Sequence, residues 1–406
     1  MATKKPSPPT DPTANELYRD AALRHQIGVR QYTSGLTRRV ARLLEEADRD
    51  LTAKLRDRLA RLGPETDFTG ERWRSLLDDI RGARSVALQR YRELTRGELA
   101  ELGVVEGRWE ATALGDSVPI QVTFATVAAD QLRAIIHDKP FRGRLLRDWF
   151  ATLERGDRER LTAALQLGMA EGESIDQLVR RVVGTRAAEY ADGILAITRR
   201  DANAIVRTAV NHVSNTARGY VWAANSDIIT ARIWVSTLDG RTSAICRARD
   251  GKGTPEGDNP LPPEIEPLDP PAARPPAHIN CRSLMVAYID GVGLLGDRPT
   301  VTDTRTRRGR EIDFRAEAKR TGKSIQEVRR DWATKHVGRV PSATSYEQFL
   351  RRQSAEFQDE VLGRTKGKLF RDGGLKVDQF VDRAGNELTL KQLAGKYPAA
   401  FKEIDA

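Results

Sequence analysis

Apolar residues recur at steps of three and four through Leu36, Val40, Leu43, Leu44, Ala47, Leu51, Leu55, Leu59 and Leu62. That spacing puts them on one face of a long helix. Gly63-Pro64 ends it, because proline lacks an amide donor and glycine accepts a left-handed cap. A second set, Trp73, Leu76, Leu77, Ile80, Ala83, Ala87, Leu88, Tyr91 and Leu94, predicts another long helix. The short break between them predicts an antiparallel pair whose stripes pack into an internal bundle.

The pattern then shortens. Val118 to Val127 is β-branched around Pro119 and reads as a short edge strand or an extended connector. Four helical segments follow, near 128–137, 142–154, 157–170 and 174–195, with a stop at Gly172-Glu173 and an N-cap at Ser174. From Asp201 to Ala224, Ile205, Val206, Ala209, Val213, Ala217, Tyr220 and Val221 line one side of a helix that also holds Asn211, His212 and Asn215. Ile228 to Ser236 alternates as a strand does, with Ile229, Ala231, Ile233 and Val235 on one face and Thr230, Arg232 and Trp234 on the other. Leu284 to Ile289 is a second strand. Between the strands, Pro255 to Pro276 holds nine of the 19 prolines, so it is neither helix nor central strand. Polar, basic helices run from about residue 298 to 362, and Asp382 to Glu387 reads as a turn.

The predicted fold is mainly α with a small α+β module: long amino-terminal helices, then a central helical region feeding a small sheet closed by a Pro-rich loop. The predicted organisation is a disordered tail (1–13), a long-helix region (14–127), a central domain (128–297) and a basic carboxyl-terminal region (298–406).

Composition adds three constraints. At 406 residues, 39% hydrophobic and 31% charged, the chain suits long helices with wide solvated faces. The net charge is +10, and from Arg298 onward 24 Lys/Arg face 16 Asp/Glu, a surplus of 8. Such a surplus favours polyanions by counterion release, and Arg305, Arg307, Arg308 and Arg310 are the candidate DNA contacts; the plainer reading is a solvated basic surface. The start, MATKKPSPPTDPT, has no apolar run after its lysines, and no stretch approaches the ~20 apolar residues of a membrane helix, so neither a secretory leader nor a membrane segment is expected.

The chemistry concentrates between Trp234 and Arg282. WVSTLDGRTSAIC opens the stretch, Asp250-Gly251 makes a second turn, and PPAHINCR closes it. Both cysteines lie inside. Cys246, His278 and Cys281 are candidate zinc ligands of the right softness, with three protein ligands where a structural site uses four. Two other readings stay open: a disulfide, and two reduced buried thiols. Thr242 is placed to cap a short helix reaching Cys246. A buried bridge such as Asp239 to Arg282 ties loop to strand. Cys246 with His278 has the residue types of a nucleophile and its base, without a spacing that fixes their geometry.

The ordered set Trp234, Asp239, Arg241, Thr242, Cys246, Asp250, Gly251, Pro275, Pro276, His278, Asn280, Cys281 and Arg282 resembles the signature of the phage head morphogenesis family, the Mu-F-like minor capsid proteins. Where many of those proteins carry a further cysteine, this chain has Ser283. The resemblance implies a structural, non-enzymatic virion component made in the host cytoplasm. It also implies action near the portal in prohead assembly, with portal and capsid or scaffold proteins as partners and no required cofactor. The alternative is a toxin-like or nucleic-acid-acting enzyme carried in the particle, with its activity in the basic carboxyl-terminal region. That region has few clustered acids to hold catalytic metal.

Two motif matches are rejected. Gly291-x-Gly293-x-x-Gly296 imitates a dinucleotide fingerprint, but Asp297-Arg298-Pro299 leaves no room for the helix that would bind phosphate. Gly322-Lys323-Ser324 imitates the end of a P-loop without its first glycine. The remaining histidines and tryptophans read as packing or surface residues.

Overall fold

The computed structural model describes residues 14–62, 70–118, 122–289, 297–302, 314–341 and 344–405. The tail, the Gly63-Pro64 break, the Gly291–Gly296 motif and the four candidate DNA-contact arginines lie outside them.

Helix α1 (Ala14–Leu62) packs along α2 (Gly70–Ser117), the expected pair, and both run further than the apolar stripes indicate. Leu36, Val40, Leu44, Leu51 and Leu55 are buried, as are Leu77, Ile80, Ala87, Leu88 and Tyr91. The side chains of Leu59, Leu62, Trp73 and Leu76 lie outside the described ones. Residues 122–128 form an extended connector, not a strand. Asn225 brackets it at Ala125, its Oδ1 accepting from the Ala125 amide at 2.7 Å and its Nδ2 donating to the Ala125 carbonyl at 3.0 Å.

Helix α3 (Ala129–Asp138) crosses α2 where α2 carries glycine. A Cβ on Gly107 would sit 2.7 Å from Leu132 Cδ1, and one on Gly103 would sit 2.9 Å from the Leu132 carbonyl oxygen. Helix α4 (Leu146–Ala170) is continuous where the sequence suggests two segments, because an isolated Gly156 weakens a helix by only about 1 kcal/mol. Ser174 caps α5 (Ile175–Val183) by accepting from the Gln177 amide. That helix stops at Gly184 (φ +97°) and does not run on to 195.

Helix α6 (Ile194–Ala223) is the central element, packed on α1, α2 and α4. It leads into β1 (Ile229–Val235), the middle strand of an antiparallel sheet in the order β3 (Gly253–Pro255), β1, β4 (Leu284–Ile289). Trp234 pairs with Met285 and Val235 with Leu284. The outer edge of β4 is closed by side chains rather than by a fourth strand. Asn211 Nδ2 donates to the Ser283 carbonyl (2.8 Å), and Asn215 Oδ1 accepts from the Met285 amide (2.8 Å). Tyr18 Oη accepts from the Ala287 amide (3.4 Å), and Asn15 bonds both backbone groups of Ile289 (2.6 and 2.8 Å). These partners from α1 and α6 occupy the outward amides of Met285, Ala287 and Ile289 and so cover this edge of the strand.

Beyond β4 the structure departs from a run of basic helices. A parallel pairing of β2 (Leu238–Asp239) with β5 (Asp297–Val301), and an antiparallel one of β5 with β6 (Val337–Pro341), make a second three-stranded sheet. Helices α8 (Phe314–Thr321) and α9 (Ile325–His336) lie between β5 and β6; Ser324, from the rejected P-loop match, caps α9. Helices α10 (Tyr346–Arg351), α11 (Ala355–Leu362), α12 (Arg364–Arg371), α13 (Leu390–Lys396) and α14 (Pro398–Asp405) enclose a core of Phe349, Phe357, Leu369, Phe370 and Phe380 that also takes in Leu238. The expected Asp382–Glu387 turn is present, with the Asp382 amide donating to the Asn386 carbonyl at 2.8 Å.

Candidate functional site

Trp234, the penultimate residue of β1, is buried against expectation for the polar face of an alternating strand. The Arg249 guanidinium lies 5.3 Å from its ring, and its indole N–H donates to Ser236 Oγ at 2.9 Å. The face that the sequence assigns to solvent is covered at this end by helix α7 (Ala244–Arg249).

The chain then turns at Asp239-Gly240. Asp239 Oδ1 accepts from the Arg241 amide (3.0 Å) and from Thr242 Oγ1 (3.1 Å). The Arg282 guanidinium grips both Asp239 oxygens, at 2.6 and 2.8 Å, and this is the loop-to-strand bridge expected from the sequence. Burial by itself raises the Asp239 pKa, but the Arg282 bonds and charge outweigh it and hold the carboxyl below its ordinary value. The Arg241 side chain is exposed. Thr242 braces the Asp239 turn and the Thr237 carbonyl instead of capping α7, whose N-cap is Ser243.

Asp250 does more than make a turn. Its Oδ1 accepts from the Ser236 amide (2.6 Å) and its Oδ2 from the Tyr346 amide (2.7 Å), while Arg298 bonds both oxygens at 2.6 and 2.9 Å. Arg298 also donates to the carbonyls of Thr344 (2.7 Å) and Ser236. One carboxylate thus joins the end of β1, strand β5 and the start of α10. Gly251 follows at φ +81°, a left-handed conformation that favours glycine, and its amide donates to the Trp234 carbonyl at 2.9 Å. Arg298, Tyr346 and Ser236 carry no motif signal. Arg298 counts in the sequence only as one more basic residue.

The Pro-rich excursion is ordered and pinned. Ile265 and Leu268 are buried, and Gly253 exchanges backbone hydrogen bonds with Glu266 and Leu268 at 2.8 and 2.7 Å. The loop returns through Pro275-Pro276 to His278. Asn280, at φ +61°, is fixed against α6: its amide donates to Thr208 Oγ1 (3.0 Å), and its Oδ1 accepts from Arg207 Nε (2.8 Å).

This closure brings together the three residues that the sequence leaves between metal, disulfide and packing. Cys246 Sγ lies 3.7 Å from Cys281 Sγ and 3.4 Å from His278 Nε2, and both cysteines are free. The ligand atoms of all three lie within 4.8 Å of one another. The hydrogen bond from Cys246, with His278 adding to it, draws the Cys281 thiol below its ordinary pKa against the effect of burial. The same hydrogen bond, together with burial, pushes Cys246 up. Ser283, directly after Arg282, is buried with its hydroxyl 3.2 Å from Ser236 Oγ.

A second polar group escaped the sequence reading. Glu106 and Glu110 of α2 are buried with Arg218 of α6, whose Nη2 lies 2.9 Å from Glu106 Oε2. Ser214, His25, Tyr18 and Trp222 complete the shell. Burial pushes the Glu106 pKa up, but the Arg218 charge and the His25 hydrogen bond bring it to about 2. The signal was available: Asn211, Asn215 and Arg218 interrupt an apolar helix face at helical spacing. Of the scattered histidines, His25 stacks on Trp109 at 3.8 Å, and the buried His212 faces the Lys139 carbonyl at 3.1 Å.

No curated protein and no solved structure gives a match to this chain. Residues 159–286 match the family described as phage Mu protein F like protein. The matched segment begins within α4 and ends in β4, so it takes in α6, both turns, the Pro-rich loop and all three of Cys246, His278 and Cys281. Over this segment, under a third of the chain, the protein is similar to the phage Mu protein F like family.

Proposed function

We propose that this protein is a minor structural component of the phage head that acts near the portal during prohead assembly. The observation that carries the reading is that the family match and the braced module coincide: residues 159–286 contain the Asp239 and Asp250 anchors, which are spent on joining elements to one another. A structural part that must keep its shape in an assembling particle needs such cross-ties. The two long helices α1 and α2 suit contact with other head proteins, since their outer faces are long, charged and solvated.

The role we infer is not catalytic. Cys246 and His278 have the spacing of a nucleophile and base, but the Cys246 sulfur belongs to a side chain only 2% exposed, out of reach of a substrate. Among the described residues no helix is long and apolar enough to cross a membrane. The basic carboxyl-terminal region is proposed to touch packaged DNA, on the strength of its surplus of 8 positive charges.

Mass spectrometry of purified proheads and virions tests the location. The protein should be present in both at a fixed ratio to portal protein. Absence from both particle types overturns the proposal. Nuclease and ADP-ribose-transfer assays on purified full-length protein should show no turnover.

A further inference from the structure

We propose that Cys246, His278 and Cys281 form a Zn²⁺ site that fastens the far end of the Pro-rich loop to helix α7. The inference rests on geometry and holds whether or not the protein sits in the phage head.

In tetrahedral zinc coordination, Zn–S is about 2.3 Å and Zn–N about 2.0–2.1 Å, so two ligand atoms on one ion are roughly 3.5–3.8 Å apart. The two sulfurs are separated by 3.7 Å, and Cys246 Sγ and His278 Nε2 by 3.4 Å. Both separations lie close to the edges of such a tetrahedron, and the remaining pair, His278 and Cys281, has its ligand atoms within 4.8 Å.

The histidine is oriented for the task. Its Nδ1 lies 2.8 Å from the Ile279 carbonyl oxygen, which only accepts, so the ring proton is assigned to Nδ1 and the Nε2 lone pair faces the sulfurs. A metal-bound histidine typically anchors its other nitrogen in this way. The ligand backbone is also held. Ser236 Oγ donates to the Cys246 carbonyl at 2.7 Å, and the Cys281 amide donates to the His278 carbonyl at 3.1 Å.

Ser243, one turn before Cys246, places a buried hydroxyl beside the Cys246 sulfur. No further His, Cys, Asp or Glu joins the cluster among the described residues, so a water would take the fourth position. Two thiolates and one imidazole suit zinc by softness, and a divalent ion balances the two negative charges in a buried place.

What the ion would do follows from where its ligands lie. Cys246 stands before the loop and His278 and Cys281 stand after it. Zinc would therefore close a covalent ring around the excursion and fix its return onto α6.

The test uses full-length protein purified from zinc-supplemented medium without chelator. Elemental analysis should find about one zinc per chain, as expected for one such site. His278→Ala, a change at a half-buried position, should lose that zinc while keeping wild-type helical circular dichroism. Replacing the metal with Co²⁺ should give the intense visible bands and thiolate charge-transfer absorption of tetrahedral Cys-ligated cobalt, absent in Cys281→Ser. Chelation should lower the melting temperature of the wild type and leave His278→Ala unmoved. Wild-type protein with two freely titrating thiols, no zinc and no cobalt spectrum overturns the proposal. So does a disulfide in freshly purified protein, or zinc that persists in both variants.

Discussion

Asp250 and Arg298 face each other in a two-pronged ion pair, with side chains each 1% exposed and oxygen–nitrogen distances of 2.6 and 2.9 Å. The pair spans 48 residues of sequence and joins the Asp250-Gly251 turn of the central module to β5, the first strand beyond β4. Removing one partner strands a buried charge, which costs about 3–5 kcal/mol, whereas replacing both with apolar groups can be nearly neutral. Asp250→Ala should therefore destabilise severely. Asp250→Leu with Arg298→Met should recover part of that loss. Urea melts of the two single variants and the double variant measure the coupling; strictly additive losses would show that the two side chains do not act as a pair.

Asn215→Ala tests the side-chain closure of β4. It leaves the Met285 amide without its acceptor at 2.8 Å. An unpaired buried donor costs about 1–3 kcal/mol. The expected result is a loss of that size together with faster hydrogen exchange at Met285 and its neighbours. Unchanged exchange at Met285 would mean that another group takes over as acceptor.

Two buried groups place acid sensitivity in separate windows. Burial lowers the His212 pKa from its ordinary 6.5 to about 4, with the Lys139 carbonyl opposing in part. The unfolded chain then binds a proton that the folded chain refuses, so stability falls as pH drops from about 6.5 to about 4, by roughly 3 kcal/mol in all. Glu106, held at about 2, acts in the same direction over a lower window: its contribution is present above about 4.5 and disappears as pH falls towards 2. His212→Phe should flatten the upper window and leave the lower one. Chemical denaturation at a series of pH values checks both, and a His212→Phe curve that still falls between pH 6.5 and 4 would remove His212 as the cause.

DNA binding should be weak, independent of sequence and steeply salt-dependent. Changing Arg305, Arg307, Arg308 and Arg310 together to Gln should weaken it and reduce the slope of log affinity against log salt by up to about 4. Truncation before Arg298 is the wrong experiment, because it takes from Asp250 its buried partner. Equal binding and equal slope in the wild type and the four-residue variant would reduce the basic segment to a solvated surface.

The sequence by itself determined the elements whose physics is local. The stripes of α1 and α2, the Ser174 cap, the alternation of β1 and the proline exclusion of helix between Pro255 and Pro276 all follow from periodicity and backbone chemistry. The ordered motif from Trp234 to Arg282 also located the site and its Asp239–Arg282 bridge. Tertiary structure decided what depends on residues distant in the chain. Arg298 became the partner of Asp250, Asn15 and Asn215 became the closing edge of β4, and Leu238 joined a core built from Tyr346 onward. Each is a polar or apolar group whose role is set by what it meets after folding. A buried charge must find its counter-charge and a strand edge its hydrogen bonds wherever the fold delivers them, and a one-dimensional pattern does not contain those distances. Cys246, His278 and Cys281 show the division most clearly: the sequence supplied the chemistry, and only the closure of the loop onto α6 brought the three ligand atoms within reach of one ion.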